Sequence, residues 1–174
     1  MTRARRRATL VAFTLVELLI VLAVLVIAAA VVIPSIGSAG DSQAVSAARI
    51  LGSDLDVARS LALTTQQPHS LVFNTDRQSY KVVANYTGGA YATAVAVAHP
   101  VVAGERLEVE LAGQQGMSSV TVVGASFGGQ PYVTFNSQGE PSAAGTVTIR
   151  AGQTEMQVAV TVLTGMVTVT RTAG

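Results

Sequence analysis

The chain has 174 residues, of which 49% are apolar and only 12% are charged, well below the ~25% charged residues of a typical soluble domain. It contains no cysteine, which excludes a disulfide framework and a thiolate metal site. The formal net charge is +1, but four arginines lie within residues 1–7, so the remainder is mildly acidic and does not favour nucleic acid as a partner.

The first predicted element is an apolar block near the N-terminus. Residues 1–12 are short and basic, and residues 13–33 are apolar except for Thr14 and Glu17. About 20 apolar residues at a rise of 1.5 Å cross a bilayer core. By the positive-inside rule, the preceding arginines keep the N-terminus cytoplasmic. We therefore predict a single-pass membrane helix, with the rest of the chain on the far side of the membrane.

Two plainer interpretations of this block remain open. An ordinary secretory signal peptide has a shorter apolar region of about 7–15 residues, followed by a small-residue cleavage site. Residues 34–35 and 38–40 offer such a site, but the apolar run is longer and carries a carboxylate near its start. A plain membrane anchor fits the hydropathy equally well.

The pattern beyond the block stays helical. A stretch from Gly37 to Gly40 predicts a break, after which Asp41 or Ser42 caps a resumed helix. Pro68 ends this helix. Its core face is predicted from residues that recur at three- and four-residue steps: Ala44, Ala48, Leu51, Leu55, Ala58 and Ala62.

From His69 on, the periodicity changes to two, which is typical of strands. Eight strands are predicted, at residues 69–75, 79–84, 106–111, 120–123, 132–136, 146–150, 156–163 and 166–171. Thr164-Gly165 predicts a tight terminal hairpin. Residues 85–105 are ambiguous between a long loop and a further hairpin through residues 94–98. The short links favour antiparallel sheets packed against the helix, and hence an α+β fold.

Glu17 carries the most specific chemical signal. A carboxylate within a membrane span costs about 2.5–3.5 kcal/mol on insertion scales, so it needs a partner. A helix beginning at Phe13 would place a free α-amine one turn from Glu17, and in a helical polymer a neighbouring subunit can supply that amine. Glu17 would then set the axial register between subunits. The alternative is an incidental polar residue near a helix end.

Residues 12–19 together with the apolar helix resemble type IV prepilins and type II secretion pseudopilins. In that family, prepilin peptidase cuts before the Phe and methylates the new amine, and the Glu guides assembly. The resemblance therefore implies cleavage between Ala12 and Phe13, N-methylation of Phe13, an assembly role for Glu17 and a helix kink at Pro34. The family usually has Gly where this chain has Ala12, so we expect slower processing.

Three later segments resemble the GspH/FimT group of minor pseudopilins. They are residues 58–63 leading to 71–73, residues 133–141 leading to 146–149, and residues 164–169. In that group a β-sandwich packs on the C-terminal half of a long helix, and the H-class subunit belongs to a complex at the pseudopilus tip. The implied division is a leader at 1–12, a transmembrane and polymerisation helix at 13–34, its amphipathic continuation at 35–68 and a periplasmic β-rich domain at 69–174.

The predicted function is thus that of a non-enzymatic minor pseudopilin of a type II secretion system, in the bacterial inner membrane with its β-domain in the periplasm. Its implied partners are other minor and major pseudopilins, prepilin peptidase, the inner-membrane assembly platform, the lipid bilayer and secreted cargo. The alternative is a FimT-like minor pilin of a type IV pilus that touches DNA. Nucleic-acid binding needs clustered basic side chains, and those after residue 60 are scattered: Arg77, Lys81, Arg106, Arg150 and Arg171.

No motif supports the third class, a membrane-tethered enzyme, and we predict neither a cofactor nor a metal. His69 and His99 have no second His or carboxylate at metal-binding spacing, so we interpret them as surface or strand-end residues. Glu105, Glu108 and Glu110 are interpreted as a solvated edge strand rather than a calcium site. No nucleophile elbow is present.

Overall fold

The computed structural model describes residues 14–32, 37–76 and 78–172. Contacts divide the chain into two compact units, Met1–Gly37 and Ser38–Gly174. The first unit contains α1, at Leu15–Val32. Thr14 caps this helix, because its Oγ1 accepts a hydrogen bond from the Glu17 N–H at 3.2 Å. Among the described residues, none of the helices has the length and apolar character needed to cross a membrane.

The helix α2, at Gly37–Thr65, begins earlier than predicted. Gly40 does not break it but lies inside it, where a Cβ would approach Ala151 O to 3.3 Å. This glycine is therefore explained by a close contact with the sheet. The predicted core face is confirmed, because all six of its residues are 0% exposed. The helix ends before Gln66, which has a positive φ of 57°, and Pro68.

Eight strands form two four-stranded antiparallel sheets, which confirms the predicted α+β class. They are β1 His69–Asn74, β2 Ser79–Ala84, β3 Glu108–Glu110, β4 Val120–Phe127, β5 Tyr132–Phe135, β6 Gly145–Ala151, β7 Thr154–Val160 and β8 Val167–Thr172. The first sheet has the order β3-β2-β1-β5 and the second the order β4-β6-β7-β8. The terminal hairpin is wider than predicted, because Thr161 N–H bonds to Met166 O around a four-residue loop.

The core lies between α2 and the inner faces of both sheets. Small residues of the helix allow close approach, while the sheets supply the large side chains. Phe73 of the first sheet lies between two aromatic rings, 5.9 Å from Tyr80 and 6.0 Å from Phe127 of the second sheet. The contact of Phe73 with Phe127 joins the two sheets directly.

The ambiguous segment 85–105 is neither a free loop nor a regular hairpin. It contains one turn of 3-10 helix, at Tyr91–Thr93, which lies against β1. Ala96 is buried, and Val97 N–H bonds to Val82 O at 2.8 Å. The ring of Tyr91 lies 4.0 Å from Lys81 Nζ, on the face of β2 that points away from the core. Residues on both faces of β1 and β2 are buried, in place of the alternation expected of a one-sided sheet.

Candidate assembly site

Glu17 is the one predicted site residue within the described residues. It lies in the first turn of α1, and its side chain is exposed. Ala12, Phe13 and Pro34 lie outside the described residues. The cleavage, methylation, kink and assembly roles of these four residues therefore stay predictions.

The described surface of α1 is apolar apart from Thr14 and Glu17. Large apolar side chains between Leu15 and Ile27 are 48–76% exposed. A helix that is apolar all round is stable only when it is buried among other protein elements or in lipid. In the described structure, α1 thus leaves a continuous apolar surface exposed.

In the second unit, α2 is fastened to the β-domain near its start by a polar cluster. Thr154 is almost fully buried and donates a hydrogen bond from its hydroxyl to Asp41 Oδ1. Arg171 of β8 donates to Thr154 Oγ1 at 2.9 Å and to Asp41 Oδ2 at 3.4 Å. The start of β7 and the end of β8 are thereby tied to the first turns of α2.

A second fastening lies at the middle of α2. Tyr80 Oη of β2 donates a hydrogen bond to Asp54 Oδ2 at 2.5 Å. Burial raises the pKa of Asp54, and the hydrogen bond from Tyr80 and the nearby His99 oppose this rise. Burial likewise raises the pKa of Tyr80 well above its ordinary value, with a further contribution from Asp54. The contact between α2 and the first sheet therefore includes the Asp54 carboxyl, which is protonated or accepts the hydrogen bond from Tyr80.

The third fastening joins the three segments that resemble the GspH/FimT group. Arg59 Nε donates to Gly139 O at 3.1 Å, which links the end of α2 to the turn after β5. That turn is closed by Asn136, whose Oδ1 accepts N–H bonds from Gln138 and Glu140. Gly165 completes the site, since a Cβ there would lie 2.9 Å from Gly139 O. We call this set of contacts the Arg59 junction.

We expect Gly139→Ala to destabilise the chain by about 2–4 kcal/mol. Gly139 has a φ of +77°, and a Cβ would lie 3.2 Å from the Arg59 Nε and Leu63 side-chain atoms. Left-handed backbone costs a non-glycine residue about 1–2 kcal/mol, and mild overpacking against side-chain atoms adds about 1–2 kcal/mol. Urea unfolding monitored by circular dichroism measures this loss.

The matched control is Gly129→Ala. Gly129 has a similar φ of +84° but no atom within 4 Å of the added Cβ. It should lose only the backbone contribution of about 1–2 kcal/mol. Equal losses at the two positions would show that the Arg59 junction adds nothing to stability.

The histidines serve local structure. His69 is buried at the start of β1, where Nδ1 lies 2.9 Å from Gln67 O, so the strand-end position is confirmed. His99 Nδ1 accepts the N–H groups of Val101 and Val102 in a loop. Over residues 14–32, 37–76 and 78–172, no three His, Asp or Glu residues are grouped as metal ligands would be.

A family profile described as "Type II transport protein GspH" matches residues 47–165, more than half of the chain. The chain belongs to the GspH family. The match runs from within α2 to the loop before β8 and includes Arg59, Gly139 and Gly165, so the Arg59 junction lies within the family-defining region. The predicted resemblance to the GspH group is confirmed.

Two solved structures share the fold. Two structures of the minor pseudopilin EpsH from the type II secretion system of Vibrio cholerae match with TM-scores of 0.52 and 0.51 at 15% and 12% identity. The matches cover 75% and 77% of this chain and 97% and 95% of theirs. The type IV minor pilin FimU of Pseudomonas aeruginosa gives 0.47 at 16% identity, with 76% of this chain and 90% of that chain covered. No curated protein sequence matches.

Proposed function

We propose that this GspH-family chain is an H-class minor pseudopilin of a type II secretion machine, assembled at or near the tip of the periplasmic pseudopilus. The observation that carries the proposal is the family match across α2 and the sandwich, including the Arg59 junction. The fold shared with EpsH supports it. The role is structural and requires no chemistry at a catalytic site.

In this proposal the chain is held in the inner membrane by residues 13–33 until it is processed. The arginines before this run favour a cytoplasmic N-terminus, and the β-domain then lies in the periplasm. The apolar, exposed surface of α1 supports the same role, because in a fibre it would pack among the helices of other pseudopilins.

The β-domain would then be carried by α2, to which it is fastened at the start, the middle and the Arg59 junction. Force applied to the helix during extrusion would pass to the sheets through these polar contacts and the buried core. Glu17 would pair with the amine of a neighbouring Phe13 and fix the axial register. The remaining proposed partners are prepilin peptidase, the assembly platform, lipid and exported cargo.

The basic side chains of the domain support secretion over DNA contact. Lys81 is buried and lies 3.7 Å from Glu108, and Arg150 and Arg171 pair with Glu155 and Asp41. Within the described part of the domain, these cations are dispersed and largely neutralised. Phosphate binding by a FimT-like pilin would instead need a cluster of cations free to contact the backbone.

Intact-mass analysis of the membrane-extracted chain tests the proposal. We expect a mature protein that lacks residues 1–12 and begins with a methylated Phe13. Because a smaller residue before the cut suits the peptidase better, Ala12→Gly should be processed faster than the native chain in a pulse-chase experiment. A native chain that still carries residues 1–12 in cells containing an active prepilin peptidase would contradict the proposal.

A further inference from the structure

The outer edge of β8 differs from every other sheet edge in the described chain. An edge strand exposes unpaired N–H and C=O groups that can pair with another chain, and proteins usually block such edges with short strands, charges, prolines, bulges or covering loops. The two sheets have four edge strands, β3, β5, β4 and β8. Three of the four are blocked in one of these ways.

Both edges of the first sheet are blocked. β3 has only three residues and carries Glu108 and Glu110. β5 has four residues and is covered by the chain that follows it, because Ser142 N–H bonds to Thr134 O at 2.7 Å and Ser142 Oγ accepts the Thr134 N–H at 3.2 Å. Neither strand offers a free ladder to a partner.

The β4 edge of the second sheet is blocked by a bulge. The register of β4 on β6 shifts between Val122 and Gly124. Gln78, from the turn between β1 and β2, reaches across and accepts the Val122 N–H with its side-chain Oε1. A bulge and an occupied donor both oppose addition of a further strand.

β8 has none of these devices apart from the charge of Arg171, whose side chain is 62% exposed. It is six residues long, pairs with β7 in an unbroken register and contains no proline. Its only charged residue, Arg171, is engaged by Asp41 and Thr154. Four of its residues, 169–172, are exposed.

Three residues of β8 direct their backbone groups away from the sheet. Thr161 N–H points to Met166 O at 3.1 Å, and the alternation of an antiparallel ladder then makes Thr168, Thr170 and Thr172 the residues that bond to β7. The N–H and C=O groups of the intervening residues therefore face outward: Val167, Val169 and Arg171. An added strand would find three donors and three acceptors in regular spacing.

The side chains beside this edge are neutral except for Arg171 and Glu155, each of which is paired within the chain, and they favour an uncharged partner. On the outer face β8 presents threonine hydroxyls and methyl groups, next to Glu155, Gln157 and Ala159 of β7. On the inner face Val167 and Val169 pack towards Gly52 of α2. A strand with β-branched or small neutral residues on both faces complements these surfaces, whereas charged residues would lose solvation there.

We propose that the outer edge of β8 receives an extended edge strand from a different pseudopilin of the same fibre. This inference rests on the proposed function. Antiparallel pairing with β8 of a second copy requires a two-fold axis normal to the sheet, which would reverse α2, whereas subunits of such a fibre hold their helices parallel. Head-to-tail pairing with a second copy would need one of the three blocked edges.

Site-specific photo-crosslinking of the full chain, in cells that express the complete secretion machine, tests this inference. We expect Thr170→benzoylphenylalanine to give an adduct with another pseudopilin, mapped by mass spectrometry to an extended strand. Thr121→benzoylphenylalanine, at the exposed and blocked β4 edge, should give at least tenfold less. An adduct with a second copy of this chain, or equal yields at the two positions, would overturn the inference.

Two edge-blocking substitutions should each abolish the adduct at position 170. Val169→Pro removes an outward N–H and keeps every bond to β7, and Thr168→Lys places a charge on the edge. Persistence of the adduct in both variants, with unchanged thermal unfolding, would count against strand addition. If Val169→Pro does not fold, the adduct yield at position 170 in the Thr168→Lys variant alone tests strand addition.

A crosslinker at Ile50, exposed on α2, separates failure of this inference from failure of the proposed function. We expect its adducts with pseudopilins to form in the native chain and to survive Thr168→Lys. Adducts from Ile50 without any from position 170 would refute the β8 inference and leave the pseudopilin assignment standing. Absence of both would refute both.

Discussion

Replacing Gly145 with alanine is expected to lower the free energy of unfolding by about 3 kcal/mol or more, the upper range for overpacking. Gly145 opens β6 opposite Phe127, and an added Cβ would overlap Ser126 O and the Phe127 ring and lie 2.6 Å from Phe127 Cα. Two of these three atoms belong to the backbone, so no rotamer change relieves the overlap. The β4–β6 pairing would have to separate.

The measurement is urea unfolding followed by far-ultraviolet circular dichroism, with Gly124→Ala as the matched control. Gly124 lies on β4 of the same sheet, where an added Cβ meets no atom within 4 Å. We expect the control to remain within about 1 kcal/mol of the native chain, since alanine also reduces the entropy of the unfolded state. A Gly145→Ala variant as stable as the control would show that strands β4 and β6 separate freely at this point.

Tyr80→Phe is expected to destabilise the chain by about 1–3 kcal/mol, the cost of leaving a buried polar group without its partner. The substitution removes only the hydroxyl that donates to Asp54 and keeps the ring against Phe73. Because the carboxyl remains partly buried between α2 and the first sheet, water replaces the lost donor only in part. Urea unfolding at pH 7 measures this loss directly.

Asp54→Asn should have the opposite effect at neutral pH. Burial raises the pKa of Asp54 above its usual value of 3.8. The resulting contribution to stability is fully present below the unfolded pKa and is lost as the pH rises through the folded pKa. Asparagine does not ionise and can still accept the Tyr80 hydrogen bond. The gain of Asp54→Asn over the native chain should therefore grow from pH 4 towards neutrality.

Unfolding curves of the native chain and both variants between pH 4 and pH 8 distinguish the two effects. The Tyr80→Phe loss should be smallest near pH 4, where more of the Asp54 carboxyl is protonated. If the native and Asp54→Asn stabilities instead run parallel over this range, Asp54 ionises in the folded chain as readily as in the unfolded one.

Local periodicity predicted the helix face and the strands well, because both depend on neighbours within a few residues. Ala44 to Ala62 alternate with polar residues at helical spacing, and every residue of the predicted stripe is buried. The predicted start of α2 was wrong, because the low helix propensity of glycine at position 40 suggests a break. A glycine is needed at position 40 because the helix contacts Ala151, over a hundred residues later in the sequence. Nothing in the residues around Gly40 indicates that contact.

The polar contacts between α2 and the β-domain show a similar limit to prediction from the sequence. Asp54 stands three residues after Leu51 and four before Ala58, which places it on the buried stripe, so its burial was open to prediction. Its partner Tyr80 was not, since the pairing depends on how α2 lies across the first sheet. The Arg59 junction is comparable. Each of its three segments resembles the family by itself, but only the folded chain brings them together.

The small residues of α2 also have a thermodynamic consequence. Five buried positions are alanine and one is glycine: Ala44, Ala47, Ala48, Ala58, Ala62 and Gly52. Alanine and glycine have no side-chain rotamers to lose, whereas each buried leucine gives up about 0.5–1 kcal/mol of conformational entropy. Docking of the helix therefore immobilises few side-chain torsions beyond those of Leu51, Leu55 and the half-buried Val45, Val57 and Leu61. Most of the ordering cost at this interface falls on the sheets, whose side chains also pack against one another.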